Sequence, residues 1–139
     1  MSFFVVDTDT LTFYQTGHPN VVPTVDAHAP GAVRVTAVSV EEQFIGWYTY
    51  ARQAKRPDQI ALAYDGLTRS AASLARFTIL TYSAAAQQRF RQLRKLLPRA
   101  GKNDLRIAAV ALEHGATLVT HNVKDFAGVP GLVIVDWAS

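Results

Sequence analysis

Short apolar runs alternate with longer amphipathic stretches along the whole chain. The apolar runs are rich in β-branched and aromatic residues, which predicts short buried strands: FFVV (3–6), VRVTAV (33–38), FTILT (77–81), TLVT (117–120) and LVIV (132–135). Apolar positions at helical spacing predict helices between them: 8–16, a short one around 20–28, 39–55, 57–76, 83–97 with Ser83 as N-cap, and 104–114. This alternation predicts an α/β fold of three layers, a central and mostly parallel sheet of four to five short strands with helices on both faces.

Length and composition narrow the class of protein. With 139 residues, 49% of them hydrophobic, the chain is expected to form a single domain over residues 1–139. No run approaches the roughly 18 apolar residues of a membrane span. The N-terminus MSFFVVDTD lacks the basic region of a secretory signal, so a cytoplasmic location is expected. The absence of cysteine excludes disulfides, thiolate zinc sites and cysteine nucleophiles.

The charge is unevenly distributed. The net charge is only +3, but no acidic residue occurs between Gly66 and Asn103. The basic residues of this stretch are Arg69, Arg76, Arg89, Arg91, Arg94, Lys95, Arg99 and Lys102. Such a block suits a polyanion such as RNA or DNA. A solvated helix face, or a surface for an acidic protein, is the alternative.

Acidic residues fall where parallel strands are predicted to end. These residues are Asp7 and Asp9, Glu41 and Glu42, Asp104, and Asp125. Ligands of such sheets bind beyond the carboxyl ends of the strands. Carboxylates that converge there need a cation, and Mg²⁺ or Mn²⁺ prefers oxygen ligands.

Each acid also has a purely structural interpretation. Asp7 and Asp104 are good N-caps, and Glu42 can close a capping box, S-x-x-E, that begins at Ser39. Glu41 can be a solvated acid in the first helical turn, and Asp125 a turn residue. The argument for a site therefore depends on all of these positions together.

The stretch FFVVDTDTLTF is similar to the first motif, DxDxT, of haloacid-dehalogenase-type phosphatases. That resemblance would make Asp7 the nucleophile and Asp9 the general acid/base. The family's late acidic metal motif is missing, since residues 115–139 contain only the isolated Asp125 and Asp136. We keep this interpretation as the alternative enzyme class.

Four segments in order resemble PIN-domain ribonucleases, particularly the VapC-like toxins of bacterial toxin–antitoxin pairs. They are VVDTDTL, SVEEQFIGW with Glu42 four residues before Gly46, KNDLRIAAVALEHGATLVT with Asp104, and THNVKDF. The resemblance covers essentially the whole chain, and its last two segments are specific. It implies a PIN-like α/β/α fold and endonucleolytic cleavage of RNA by a metal-activated water, leaving a 5′-phosphate and a 3′-hydroxyl.

The same resemblance implies roles for individual residues. Asp7, Glu42, Asp104 and Asp125 would be the catalytic acids. Mg²⁺ or Mn²⁺ would be held by the first three, with Asn122 or Asp125 at the fourth position. Thr8 and Thr120 would orient the carboxylates, and Asp9 would be a helix-start residue. Asn122, where many relatives have Asp, leaves open a degenerate PIN domain that binds RNA or protein without cutting.

Partners follow from the charge pattern and from the resemblance. The candidate RNA contacts are Arg89, Arg91, Arg94, Lys95, Lys102 and His121; His121 can also be simply exposed. Phe44, Trp47 and Tyr48 share a face of the helix over 39–55. Core packing would explain them, and Phe44 is expected in the core. The resemblance implies instead an antitoxin groove between this helix and the next, and a homodimer.

Overall fold

The computed structural model describes residues 2–139, which form five strands and seven helices. The strands are β1 (Phe4–Val6), β2 (Val33–Thr36), β3 (Thr78–Leu80), β4 (Thr117–Val119) and β5 (Ile134–Val135). The helices are α1 (Thr8–Gln15), α2 (Val21–Asp26), α3 (Ala37–Gln53), α4 (Pro57–Leu74), α5 (Ala84–Leu96), α6 (Lys102–Glu113) and α7 (Val123–Phe126). Each predicted strand and helix has a counterpart among them.

The strands form one sheet in the order β3-β2-β1-β4-β5, with β1 at its centre. All four strand pairs are parallel, and Phe4 of β1 is in register with Val33 of β2 and Thr117 of β4. The predicted mostly parallel sheet is therefore confirmed. Its parallel strands bring the segments after β1, β2, β3 and β4 to one edge.

Alternate side chains of the sheet enter two separate cores. Val5 and Leu118 pack with α5 and α6 on one face. Val6 and Val119, the next residues along the same strands, pack with α1 and α2 on the other. Successive side chains of a strand point to opposite faces, so continuous apolar runs are required for burial on both sides. The predicted three-layer arrangement is confirmed.

The boundary between β2 and α3 differs from the prediction. The strand ends at Thr36 rather than at Val38, and the helix starts at Ala37 rather than at Ser39. Thr36 is extended (φ −107°, ψ 158°), and its hydroxyl accepts a hydrogen bond from the backbone N–H of Ser39. Thr36 is therefore the N-cap, and the β-branched run that reads as strand continues into a helix.

Two further differences concern the end of the chain. The helix α7, which directly follows β4, was not predicted. The strand expected over 132–135 is reduced to Ile134–Val135. In residues 2–139, no helix has both the length and the hydropathy needed to cross a membrane.

Candidate active site

Asp7 is a buried carboxylate at the end of the central strand. It is the N-cap of α1, and its Oδ1 accepts a hydrogen bond from the backbone N–H of Thr10 at 2.8 Å. Its Oδ2 accepts one from the hydroxyl of Thr120 at 2.6 Å. Burial raises the pKa of Asp7, although these hydrogen bonds oppose the rise. The predicted cap is confirmed, and the same carboxylate lies at the sheet edge where a site is expected.

Glu42 lies opposite α1 and does not belong to a capping box. Ser39 is buried in the first turn of α3, so Glu42 falls in the second turn and the predicted capping box is wrong. The hydroxyl of Thr8 donates to Glu42 Oε1 at 2.5 Å and lies 2.9 Å from the Ser39 hydroxyl. Because α3 begins two residues earlier than predicted, Glu41 is also outside the first turn.

Asp104 lies in the first turn of α6 and is half-buried. The predicted N-cap role is wrong, because Gly101 occupies that position in an extended conformation. Burial, as the largest cause, and the negative charges of the carboxylates of Asp125, Glu42, Asp7 and Asp9 together raise the pKa of Asp104 to about 6. We call these carboxylates and Asp104 the acidic edge. The four acids that act on Asp104 come from three other segments of the chain, so all of them lie within electrostatic reach of this one carboxylate.

Asn122 follows β4 and links two of these segments. Its side-chain amide donates to Asp9 Oδ2 at 2.6 Å, and its backbone N–H donates to the Thr120 hydroxyl at 3.0 Å. Sequence reasoning missed the contact with Asp9, since the two residues are 113 positions apart. Asp125 is exposed in the first turn of α7 rather than in a simple turn.

His121 is exposed beside the acidic edge and pairs with Asp136, with 3.0 Å between Nδ1 and Oδ2. Burial acts to raise the pKa of Asp136, but hydrogen bonds from Ser139, Ala138 N–H and His121 outweigh it and lower the pKa. The sequence contained no signal for this contact.

The acidic edge offers the oxygen ligands that Mg²⁺ and Mn²⁺ prefer. Among residues 2–139, no three Asp, Glu or His side chains already stand at metal-binding spacing. Unneutralised carboxylates repel one another, and the raised pKa of Asp104 has this repulsion as one of its causes. The donor chemistry and the charge therefore fit a divalent cation.

A groove adjoins the acidic edge between α3, α4 and α1. Its volume is about 560 Å³. The α3 residues that line it are Glu42, Gln43, Gly46, Trp47 and Tyr50. Of the predicted groove residues only Trp47 is among them, because Phe44 and Tyr48 lie on a neighbouring face of the helix. Phe44 is 38% exposed, so its predicted place in the core is wrong.

Trp47 is fixed in the groove by α4. Its indole N–H donates to the Ser70 hydroxyl at 3.0 Å, and the ring lies over Gly66. A Cβ on Gly66 would lie 2.5 Å from ring atoms of Trp47. The glycine therefore permits the close approach of α3 and α4 that forms the groove wall.

The predicted RNA-contacting residues do not form one uniform surface. Arg91, Lys95 and Lys102 are exposed. Arg89 pairs with Glu113 at 2.5 Å, and Arg94 donates to the carbonyl of Ala100 at 2.9 Å. The first three are thus available to a polyanion, while the other two already have protein partners.

Comparisons with known proteins agree with this geometry. The PIN domain family matches residues 4–132. Ribonuclease VapC2 of Haemophilus influenzae is 30% identical over 77% of this chain and 76% of its own length. Ribonuclease VapC2 of Rickettsia felis is 38% identical, but the alignment covers 46% of this chain and about half, 51%, of that protein.

A solved structure, DNA-bound VapBC from Salmonella typhimurium, superposes with a TM-score of 0.79. It is 25% identical and covers 99% of both chains. Nothing in these similarities supports the dehalogenase-type interpretation of the first motif. The chain therefore belongs to the PIN-domain family, as its four ordered motifs predicted, and its named relatives are ribonucleases of the VapC type.

Proposed function

We propose that this PIN-domain protein is a metal-dependent endoribonuclease and the toxin of a toxin–antitoxin pair. The observation that carries the proposal is the acidic edge. The carboxylates whose charges raise the pKa of Asp104 include an acid from each of the other three family motifs. Membership of the family and relatives named as ribonucleases support the nuclease class. Use of Mg²⁺ or Mn²⁺ is our inference from the oxygen donors.

Asp7, Glu42 and Asp104 would hold the cation, with Asn122 or Asp125 at the fourth position. A divalent ion bound there would supply Lewis-acid chemistry for attack of water on the phosphodiester, and the expected products are a 5′-phosphate and a 3′-hydroxyl. The pKa of about 6 leaves Asp104 mostly deprotonated at neutral pH, as a ligand must be.

Two threonines set the orientation of the proposed ligands. The buried Thr120 hydroxyl holds one oxygen of Asp7, while Thr8 holds one oxygen of Glu42. A ligand that is already oriented loses less conformational entropy on binding, and such outer contacts tune metal affinity. These contacts support the orienting role proposed for Thr8 and Thr120.

The groove beside the acidic edge supports an antitoxin partner. It has an apolar wall formed by Trp47 and Tyr50, and Glu42 lies at its acidic end. A helix or extended segment of the antitoxin can bury an apolar side chain there. An arginine at the end of that segment would pair with the carboxylates and block RNA. A homodimer and a cytoplasmic location stay predictions.

The first test is cleavage of total bacterial RNA by purified, antitoxin-free protein with Mn²⁺ or Mg²⁺. Asp104→Asn removes one proposed ligand, and Asp58→Asn removes an exposed carboxylate in the first turn of α4 as the matched control. We expect discrete products from the wild type and from the control, and none from Asp104→Asn or with EDTA. No cleavage by folded wild type would favour the degenerate binding module, and Asn122→Asp would then be tested for gain of activity.

A further inference from the structure

Another cavity, of about 380 Å³, lies next to the acidic edge on the α5 and α6 side of the sheet. It is lined by Ala37, Val38, Glu41, Tyr82 and Arg106. Its volume is within the range of small-molecule sites, roughly 300–1,000 Å³. The cavity is close to the proposed catalytic residues along the chain, because Glu41 precedes Glu42 and Arg106 follows Asp104 by two positions.

The cavity is distinct from the acidic edge, although the two adjoin. Glu41 lines this cavity, whereas its neighbour Glu42 lines the antitoxin groove beside the acidic edge. Successive residues of a helix point about 100° apart, so Glu42 faces the acidic edge and the antitoxin groove while Glu41 faces this cavity.

Two opposite charges line this cavity without pairing. Within residues 2–139, Glu41 and Arg106 form no salt bridge with each other or with any other side chain. Arg106 donates one N–H to Asn103, so its remaining N–H groups can donate to a ligand, and the Glu41 carboxylate can accept.

The basic and aromatic groups are held in place by their neighbours. Arg106 lies over the ring of Phe90, 4.7 Å from its centroid, and donates to Asn103 Oδ1 at 2.8 Å. Tyr82 donates from its hydroxyl to Gln87 Oε1 at 2.8 Å. Side chains fixed in this way lose little conformational entropy when a ligand binds.

We propose that this cavity binds one base of the RNA substrate, next to the phosphodiester that is cut, and that guanine fits it best. The inference rests on the proposed endoribonuclease function. Single-stranded RNA is recognised by stacking of bases on aromatic or guanidinium planes and by hydrogen bonds to their edges. Tyr82 supplies the aromatic side chain, while Ala37 and Val38 supply an apolar wall.

Guanine is favoured because its edges carry the complementary groups. Its N1–H and N2–H₂ can donate to the Glu41 carboxylate. Its O6 and N7 can accept from the Arg106 guanidinium, which is the commonest base-specific contact of arginine. Uracil and adenine lack this combination of two adjacent donors and two adjacent acceptors.

The test uses antitoxin-free protein and a single-stranded RNA library with randomised positions, with the product ends sequenced. We expect guanine to be enriched at one fixed position beside the cut, and Glu41→Gln to lower that enrichment by roughly 5- to 100-fold. Asp58→Asn, again the matched loss of an exposed carboxylate, retains the wild-type enrichment. Arg106→Lys keeps the charge but removes the two-pronged donor, so it also lowers the enrichment.

Equal cleavage beside all four bases, or enrichment that both variants retain, would overturn the base-binding cavity while leaving the nuclease intact. If the wild type cuts no RNA, the proposed function fails, and the cavity is tested by NMR titration with guanosine and cytidine 5′-monophosphates. Shifts at Tyr82 and Arg106 that are larger for the guanosine nucleotide and absent in Glu41→Gln then support it. No shifts would overturn it.

Discussion

Replacement of Asp104 by Asn tests the electrostatics of the acidic edge without any RNA. In the folded protein the pKa of Asp104 is raised from 3.8 to about 6 by burial and by the neighbouring carboxylates. A shift of about two units corresponds to roughly 3 kcal/mol. Because Asp104 is only half-buried, solvent screening reduces its net destabilisation of the metal-free protein to about 1 kcal/mol.

The sign follows from proton linkage. The folded state binds the proton of Asp104 more tightly than the unfolded state, so the contribution of Asp104 to the free energy of unfolding falls as pH rises from about 4 to 6. In EDTA we therefore expect Asp104→Asn to raise the Tm by about 3 °C at pH 7.5. The difference should shrink as the pH falls toward 4 and approach zero at about pH 3, below the unfolded pKa of 3.8.

The assay is differential scanning calorimetry at about pH 3 and at pH 7.5, with Asp58→Asn as the control. Asp58 pairs with Arg56 at the exposed surface, so its loss should change the free energy of unfolding by less than about 0.5 kcal/mol at either pH. Mg²⁺ should then raise the Tm of the wild type more than that of Asp104→Asn, because a ligand that binds the folded state stabilises it. An Asp104→Asn variant that melts below the wild type at pH 7.5 in EDTA would refute the reasoning.

Other substitutions test the groove and the support of Asp7. Gly66→Ala places a methyl group 2.5 Å from the Trp47 ring and should destabilise the protein by about 1–3 kcal/mol, as measured by denaturant unfolding. The control is Gly46→Ala, also in a helix, where the new Cβ has no atom within 4 Å. This change should stabilise the protein by up to about 1 kcal/mol, and equal effects of the two substitutions would contradict the packing argument. Thr120→Val removes the hydroxyl that donates to the buried Asp7 carboxylate, so it should lower the free energy of unfolding by about 1–3 kcal/mol and slow RNA cleavage. The control Thr117→Val should do neither, and unchanged stability of Thr120→Val would count against the hydrogen bond.

The apolar runs were sufficient to predict the layers of this fold. Burial on both faces of a parallel sheet requires continuous apolar strands. FFVV and TLVT have this pattern, and their alternate side chains enter the two cores. Local capping chemistry also identified Asp7 and Ser83 correctly as N-caps. These features depend on residues that are adjacent in the chain, so the sequence contains the whole signal.

The first residues of two helices were predicted less accurately, because residues close together in the chain compete for the N-cap position. Ser39 and Thr36 are both good N-caps three residues apart, and only the end of pairing between β2 and β3 selected Thr36. In the same way Gly101, rather than Asp104, caps α6. Each shift removed the capping interpretation of one acid, Glu42 in α3 and Asp104 in α6.

The sequence by itself determined the fold class, the order of the motifs and the identity of the acids near the strand ends. Only the tertiary structure decided which groups meet across long separations: Thr120 with Asp7, Asn122 with Asp9, and Glu41 with Arg106 around one cavity. It also separated Trp47, in the groove, from the exposed Phe44. The physical reason is that hydrophobic periodicity specifies which face of an element is buried, whereas contacts between elements depend on packing angles and side-chain rotamers.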